Sequence, residues 1–570
     1  LSGRPQGARN RWARERLVAM VFGVVLLTGG DAVAATSDAT TGRSLAGNFL
    51  AGEHARIVED HSAAADFLKS VLANDPDDTE LLQAAFTALS QEGRFGEAVP
   101  IAERLSQKAA GADAVELVLA MDAFKRGDFA RAAQRIGKLP KGGLNDFSVP
   151  MLLAWVRLAE GDVAAARAAL SPLATIEGVR PLHDLMLALL NDVAGDTAAA
   201  DAGYRALAGQ PDALSFRTLE LAANHFLRRG DGEAAAKLID DFNKIYPDNS
   251  LIGLLRTQLE QRPRPLVADA RQGLAEAAYS IAAGLLQDGA EQPAMLFAQM
   301  ALDLSPEIAP AHLLRGDLLA AAERFEKAVE AYGLVDPNSA YAWTARQKTA
   351  EAFDRLDRAD EAVKVLQAMT EERMNVADAA LALGNLLRSK ERFAEAAVAY
   401  DKTIARIGAI KPHHWTLFYY RGISLERSNR WDRAEADFLK ALEMEPDQPF
   451  VLNYLAYTWV TQRKNLDRAL DMLKNAVKQR SEDGYIIDSL GWAYYQLGEY
   501  VKAVEYLERA VEFEPTDSEI NEHLGDAYWK AGREAEARFQ WRRALSFEPK
   551  PDRVAPLQSK MESGLTENPT

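Results

Sequence analysis

The sequence predicts an all-α solenoid, a superhelix of about fourteen helix-turn-helix repeats. Three observations carry that expectation. The tract Ile487–Pro549 reads one helix pair twice: Leu490, Gly491, Tyr494, Gly498, Ala503, Ala510 and Pro515 recur as Leu524, Gly525, Tyr528, Gly532, Ala537, Ala544 and Pro549, each 34 residues on. A small residue suited to a close helix crossing recurs along the chain at Ala64, Ala98, Ala132, Ala166, Ala200 and Ala235. After a break it returns at Ala294, Ala328, Ala362, Ala396, Ala434, Ala469, Ala503 and Ala537. Most steps are 34 residues; those to Ala235 and Ala469 are 35, the step to Ala434 is 38 and the break is 59. Punctuation falls in phase. Gly93, Gly127, Gly161, Gly195, Gly230, Gly498 and Gly532 stand where a left-handed cap ends the first helix of a pair. Pro76, Pro247, Pro306, Pro446, Pro515 and Pro549 stop the second, with Asp or Asn nearby for the next N-cap. An amphipathic pair of this kind cannot bury its apolar face alone, so its stability comes from stacking on neighbours.

A 34-residue period with L-G-x-x-Y, a later Ala and a closing Pro resembles the tetratricopeptide repeat (TPR). The resemblance implies a TPR α-solenoid and makes protein binding the leading expectation.

Read in order, residues 1–35 carry Arg4, Arg9, Arg11, Arg14 and Arg16, then the apolar run Leu17–Thr28, then Ala32-Val33-Ala34. That is the three-part layout of a secretory signal peptide, cleaved after Ala34 or Ala35. An uncleaved membrane anchor is the alternative, but a span needs about 20 apolar residues and this run is shorter. An N-terminal TPR array follows over residues 45–262, including a helical stretch near Leu251–Glu260. Arg262-Pro263-Arg264-Pro265 disfavours helix. Residues 263–272 therefore read either as a joint between two solenoid segments or as part of a degenerate repeat. A C-terminal array occupies residues 273–552. The extra residues before Ala434 fall in Gly408–His413, between helices, where insertions are tolerated. Residues 553–570 read as a capping helix near Arg553–Ser563 and a tail that ends disordered at Thr566–Thr570.

Composition narrows the function. The net charge of −17 disfavours nucleic acid, whose phosphates need clustered Lys and Arg, and suits basic partner surfaces. The sequence holds no Cys, hence no disulfide, no Cys-ligated metal and no lipobox. No segment beyond the signal is apolar for long enough to cross a bilayer, so no transmembrane segment is expected in the mature chain. A periplasmic location is expected, with membrane association left open.

No catalytic constellation stands out: there is no phosphate-cradling Gly loop, nucleophile elbow or H-E-x-x-H. His54 and His61 lack metal-ligand spacing, and the adjacent His413 and His414 share no helix face. The chain reads as non-enzymatic, with no cofactor and no metal.

The candidate site is a stripe of aromatics and acids in the last repeats. The TPR resemblance implies that the first helix of each pair lines the hollow of the array; if Gly491 and Gly525 are the crossing residues of those helices, then one and four residues onward and three back share one helix face and point into it. Those offsets select Tyr454, Thr458 and Thr461; Asp488, Trp492 and Tyr495; and Glu522, Asp526 and Trp529. Tyr419 and Tyr485 fall near the same stripe. Aromatics interleaved with acids suit a peptide of apolar and basic character. The competing expectation is that Trp492, Tyr495 and Trp529 pack between neighbouring helices. Tyr494, Leu507, Tyr528 and Trp541 occupy inter-helix positions and read as core.

The strings NYLAYTW, NLDRALDMLKNAV, DGYIIDSLGWAYYQLGEYVKAVEYLERAV and INEHLGDAYWKAGREAEARFQWRRAL, between Asn453 and Leu545, resemble bacterial cell-envelope TPR proteins that serve as adaptors of periplasmic carboxy-terminal processing proteases. Those adaptors are outer-membrane lipoproteins whose superhelix binds the protease and helps deliver cell-wall hydrolases for degradation. The resemblance implies an adaptor role here. The missing lipobox Cys is a departure and implies a soluble periplasmic form. A TPR scaffold for envelope assembly or for polysaccharide or protein export is the alternative, and an enzyme with an unrecognised site is a third.

Overall fold

The computed structural model describes residues 44–108, 112–176, 178–210, 214–246, 251–260 and 264–565. The expected signal peptide, Arg262-Pro263 and Thr566–Thr570 lie outside the described residues. Among those described, the regular elements are α-helices and short 3₁₀ turns, with no strand. The fold is an all-α TPR solenoid. By contacts the chain divides into two units, residues 1–92 and 93–570.

The first unit holds α1 (Leu45–Ile57), α2 (His61–Leu72) and α3 (Thr79–Gln91). Asp78 caps α3, its Oδ1 accepting from the backbone of Glu80 (2.8 Å) and Leu81 (3.0 Å). Ala64, Ala65 and Leu68 of α2 are buried, and a Cβ at Gly52 of α1 would lie 3.1 Å from Leu68.

The second unit begins with α4 (Phe95–Gln107), α5 (Asp113–Lys125), α6 (Phe129–Ile136), α7 (Asn145–Ala159), α8 (Val163–Leu170), α9 (Arg180–Val193), α10 (Thr197–Ala208), α11 (Phe216–Arg228), α12 (Gly232–Ile245) and α13 (Leu251–Glu260). It continues with α14 (Ala270–Gln287), α15 (Glu291–Leu304), α16 (Ala309–Ala321), α17 (Phe325–Gly333), α18 (Ala342–Arg355), α19 (Ala359–Glu372), α20 (Asp378–Ser389), α21 (Phe393–Arg406), α22 (Trp415–Arg427) and α23 (Trp431–Met444). It ends with α24 (Pro449–Thr461), α25 (Leu466–Gln479), α26 (Gly484–Gln496), α27 (Tyr500–Phe513), α28 (Ser518–Lys530), α29 (Glu534–Ser546) and α30 (Pro551–Ser563).

The recurring alanines, from Ala64 to Ala537, are each at most 1% exposed. Sixteen residues before a bulky side chain on a second helix, the first helix carries a small residue, and the pair shows why. A Cβ added at Gly316 would lie 2.2 Å from Tyr332, at Gly384 2.8 Å from Tyr400, at Gly422 2.7 Å from Phe438, at Gly491 2.7 Å from Leu507 and at Gly525 2.5 Å from Trp541. Such approaches leave no room for a larger residue without displacing the bulky partner. Tyr494, Leu507, Tyr528 and Trp541 are buried, as the pattern predicts. The turn glycines named from the sequence have φ between 73° and 86°. Later repeats place Glu323, Asp357, Glu391 and Asn429 at φ 57–61° in the same slot. The inserted residues Gly408–His413 run between α21 and α22 and include part of a 3₁₀ turn at Pro412–His414.

The path of α14 decides which inner face of the second unit stays open. Val267 is buried, the Asn224 side-chain amide donates to the Arg264 carbonyl (2.9 Å), and Asp269 caps α14 by accepting from Gln272 N (2.9 Å). The helix then packs on α7 and α9. Gly273 makes this possible, because a Cβ there would lie 2.1 Å from the buried Trp155 ring. Arg217 of α11 donates to both Glu276 oxygens (3.0 and 2.6 Å) and to Glu220 (2.6 Å), and Tyr341 Oη donates to Glu220 (3.1 Å). At the other end α30 starts at Pro551, two residues before the expected Arg553, since proline fits a first helical turn. No helix among the described residues is long and apolar enough to cross a membrane.

Candidate partner-binding surface

One position recurs on the inner face of the first helices: the residue that follows the small crossing residue. In α5, α7, α9 and α11 it is Met121, Trp155, Leu189 and Asn224, and all four are buried. Trp155 meets Gly273 of α14, and Asn224 bonds to Arg264. Beside Met121, Lys125 pairs with Asp303 of α15 (2.8 Å). The chain fills its own N-terminal hollow. From α16 to α26 the same position holds Asp317, Glu351, Asn385, Ile423, Tyr457 and Trp492, each half-buried or exposed.

The centre of the candidate site is a column of flat rings. Trp492 stacks on His523 (centroids 4.0 Å apart, 17° between planes) and on Tyr495 (4.6 Å, 10°). Beneath it the buried Asp488 accepts from His523 Nδ1, which lies 3.0 Å from each carboxylate oxygen. Burial pushes the His523 imidazole down, but Asp488, with Glu519 and Asp526 behind it, outweighs that and raises its pKa above the ordinary value. Tyr495 also meets Tyr500 edge-on at 5.6 Å, and burial raises its hydroxyl pKa.

Toward the C-terminus α30 covers the stripe. Glu522 accepts from Arg553 (2.5 Å) and Lys560 (2.7 Å); burial pushes this carboxyl up, yet the two cations hold it below the usual value. Asp526 accepts from Trp541 Nε1 (2.9 Å) and Lys560 (2.7 Å), and burial keeps its pKa raised against that cation. Trp529 is half-buried, with Arg538 4.8 Å from its ring centroid, and a Cβ at Gly564 would lie 1.9 Å from that ring. Glu522, Asp526 and Trp529 are thus brought together under the cap.

Toward the N-terminus the register differs from the sequence offsets. Tyr454 Oη donates to Glu426 (3.0 Å) and its ring lies 5.1 Å from Phe438; burial, then Glu426, raises its pKa. Thr458 and Thr461 donate to the carbonyls of Tyr454 and Tyr457 of their own helix (2.9 Å each). Tyr419 packs edge-on to Tyr454 at 6.2 Å, and burial pushes its hydroxyl up to about 12. The stripe residue of α24 is Tyr457, which sequence reasoning did not select. It is the ninth residue after the N-cap Gln448, as Trp492 is after Asp483. Its hydroxyl reaches Glu519 Oε1 of α28 at 3.4 Å, across α26. The extra residue of the 35-residue step to Ala469 lies in the turn after α24, where Arg463 and Asn465 have φ 54° and 48°. Counting helix by helix from that step finds Tyr457. Tyr485 is 54% exposed.

The surface therefore offers rings (Tyr457, Trp492, Tyr495) next to the exposed carboxylate of Glu519, with an acidic end closed by Lys560 and Arg553. It can stack on apolar or planar groups and attract cations.

Comparison with known proteins agrees with the repeat. A tetratricopeptide-repeat family profile matches residues 377–449 and 419–485, and a TPR-repeat profile matches residues 491–532. A TPR repeat-containing protein of Pseudomonas aeruginosa is 26% identical over 194 residues, which is 34% of this chain. The chain spans about a third, 32%, of that relative's length. Among solved structures, the APC/C hetero-tetramer Cut9-Hcn1 is 13% identical, with 92% of this chain and 97% of that one covered and a TM-score of 0.36. MamA from Desulfovibrio magneticus RS-1 is 18% identical over 30% of this chain and 94% of that one (TM-score 0.27). YrrB, described as a TPR protein with an unusual peptide-binding site, is 19% identical over 35% and 99% (TM-score 0.28). Residues 377–485 and 491–532 thus carry TPR repeats, and repeats of this kind serve in general as non-catalytic platforms that bind proteins or peptides.

Proposed function

We propose that this chain is a protein-docking scaffold whose C-terminal inner face, centred on Tyr457, Trp492 and Tyr495, grips a polypeptide segment of apolar and basic character. The observation that carries this reading is the contrast between the two halves of the inner stripe. From α5 to α11 it is covered by the chain itself, and from α16 to α26 it stays accessible. Acid beside aromatic favours a basic, partly apolar partner, in keeping with the net charge of −17. We further propose a bacterial cell-envelope setting and a role as adaptor that presents substrates to a periplasmic carboxy-terminal processing protease. The support for the setting is the signal-like layout of residues 1–35, and for the role the strings between Asn453 and Leu545.

The test is affinity capture from a periplasmic extract with the full chain and with Trp492→Ala/Tyr457→Ala. Recovery of a serine protease that the double variant loses, at unchanged helical circular dichroism, supports the adaptor. Recovery of export or synthase components in its place overturns the adaptor role. Capture that is indifferent to the two substitutions removes this face from the mechanism.

A further inference from the structure

On the same inner face, nearer the N-terminus, a cavity of about 390 Å³ opens between α18 and α20. Its floor is Ala350, Leu366 and Leu386, and its rim carries Gln347, Glu351 and Asn385. Two features give it chemical direction. Glu351 is exposed and forms no ion pair among the described residues. Asp354, which also lines the cavity, is by contrast paired with Lys390 at 2.7 Å. Asn385 has a fixed amide. Arg388 Nε donates to the Tyr400 hydroxyl (3.3 Å), and because Arg cannot accept, that hydroxyl gives its own proton to Asn385 Oδ1 (2.8 Å). Among the described residues the Asn385 amino group makes no hydrogen bond, so its donors remain available beside the cavity.

An apolar floor under one unpaired carboxylate is the complement of a side chain with a methylene stem and a cationic head. Such a stem loses water against Ala350, Leu366 and Leu386, while the head stays at the rim with Glu351, where it remains partly hydrated. The Asn385 donor meets a peptide carbonyl at that rim. A neutral aliphatic side chain would fill the floor and leave Glu351 unanswered, and an acidic one would be repelled by it. We propose that this cavity is a side-chain pocket for a lysine or arginine of the docked polypeptide, a second anchoring point upstream of the Trp492 column. The proposal rests on the reading of this inner face as the docking face.

The test uses the full chain with labelled leucine methyl groups, observed by NMR while n-butylammonium, the head and stem of lysine, is added; n-butylguanidinium is the arginine arm and n-butanol the neutral control. The expected result is a saturable shift of the Leu366 and Leu386 methyls with either cation, at least fivefold weaker with n-butanol. Glu351→Gln should weaken the cation response about fivefold. An equal response to n-butanol, no response to either cation, or an undiminished response in Glu351→Gln overturns the pocket. Failure here alongside Trp492-dependent capture leaves the docking face standing without this anchor. Persistence of the pocket response alongside capture indifferent to Trp492 and Tyr457 would move docking away from the aromatic column.

Discussion

Gly525 and His523, two residues apart on α28, show how much one position decides. Gly525 faces the buried Trp541 so closely that an added Cβ would lie 2.5 Å from the indole. Gly525→Ala is therefore expected to lower stability by about 1–3 kcal/mol through overpacking, read from urea unfolding. His523 is expected to link stability to pH. Its pKa is raised in the folded chain, so the native state binds its proton more tightly than the unfolded chain does. The stabilisation is complete below the ordinary value of 6.5 and is lost as pH rises through the raised folded value. Thermal unfolding midpoints should accordingly fall with rising pH over that window, and Asp488→Asn should flatten the slope. The aromatic and acidic character of this site was legible in the sequence, because Asp488, Trp492, Tyr495, Glu522, Asp526 and Trp529 keep the 34-residue spacing. Tyr457 was not found by those offsets, since one extra residue in the turn after α24 shifts the count. The stacking partner His523 was also missed. It lies one residue after Glu522 in the sequence, and only the packing of α28 against α26 brings it to Asp488 and Trp492.

At the scale of elements, turns and caps carry the testable energetics. Glu391 holds φ 57° in a slot that Gly fills elsewhere. Glu391→Gly should relieve left-handed strain of about 1 kcal/mol, partly offset by the greater freedom of Gly in the unfolded chain. The readout is a small rise in the unfolding midpoint. A fall would mean that the Glu side chain contributes more than its backbone costs. The capping helix α30 contributes more. Lys560 bridges Glu522 and Asp526, both nearly inaccessible. Lys560→Met strands Asp526 as a buried charge and is expected to cost about 3 kcal/mol, whereas Arg553→Met, at a more exposed bridge, should cost much less. The existence of this helix could be read from Pro551 and the amphipathic run behind it. That it covers the acidic end of the stripe could not, because sequence spacing gives helix faces and not the neighbour that a terminal helix chooses.

At the scale of the whole chain, the decisive contact is α14 against α7, α9 and α11. Gly273 lets α14 approach Trp155, and the buried Arg217–Glu276 bridge fixes it beside α11. Gly273→Leu should drive α14 off this face. Hydrogen exchange is expected to rise across α14, with faster proteolysis at Arg264–Asp269 and unchanged protection in α26 and α28. Equal protection in the variant would show that α14 is held by its other contacts. By itself the sequence determined the repeat, the helix pairs, their crossing residues and the chemistry of the last stripe, since a 34-residue period and turn residues with restricted φ are local properties of the chain. Only the tertiary structure decided that the N-terminal hollow is filled from within, that Lys560 and Arg553 close the acidic end, and that Glu351 and Asn385 border an open cavity. Those outcomes depend on which distant surfaces meet, and a repeat that makes every helix pair alike locally gives no information about which of its faces will be covered.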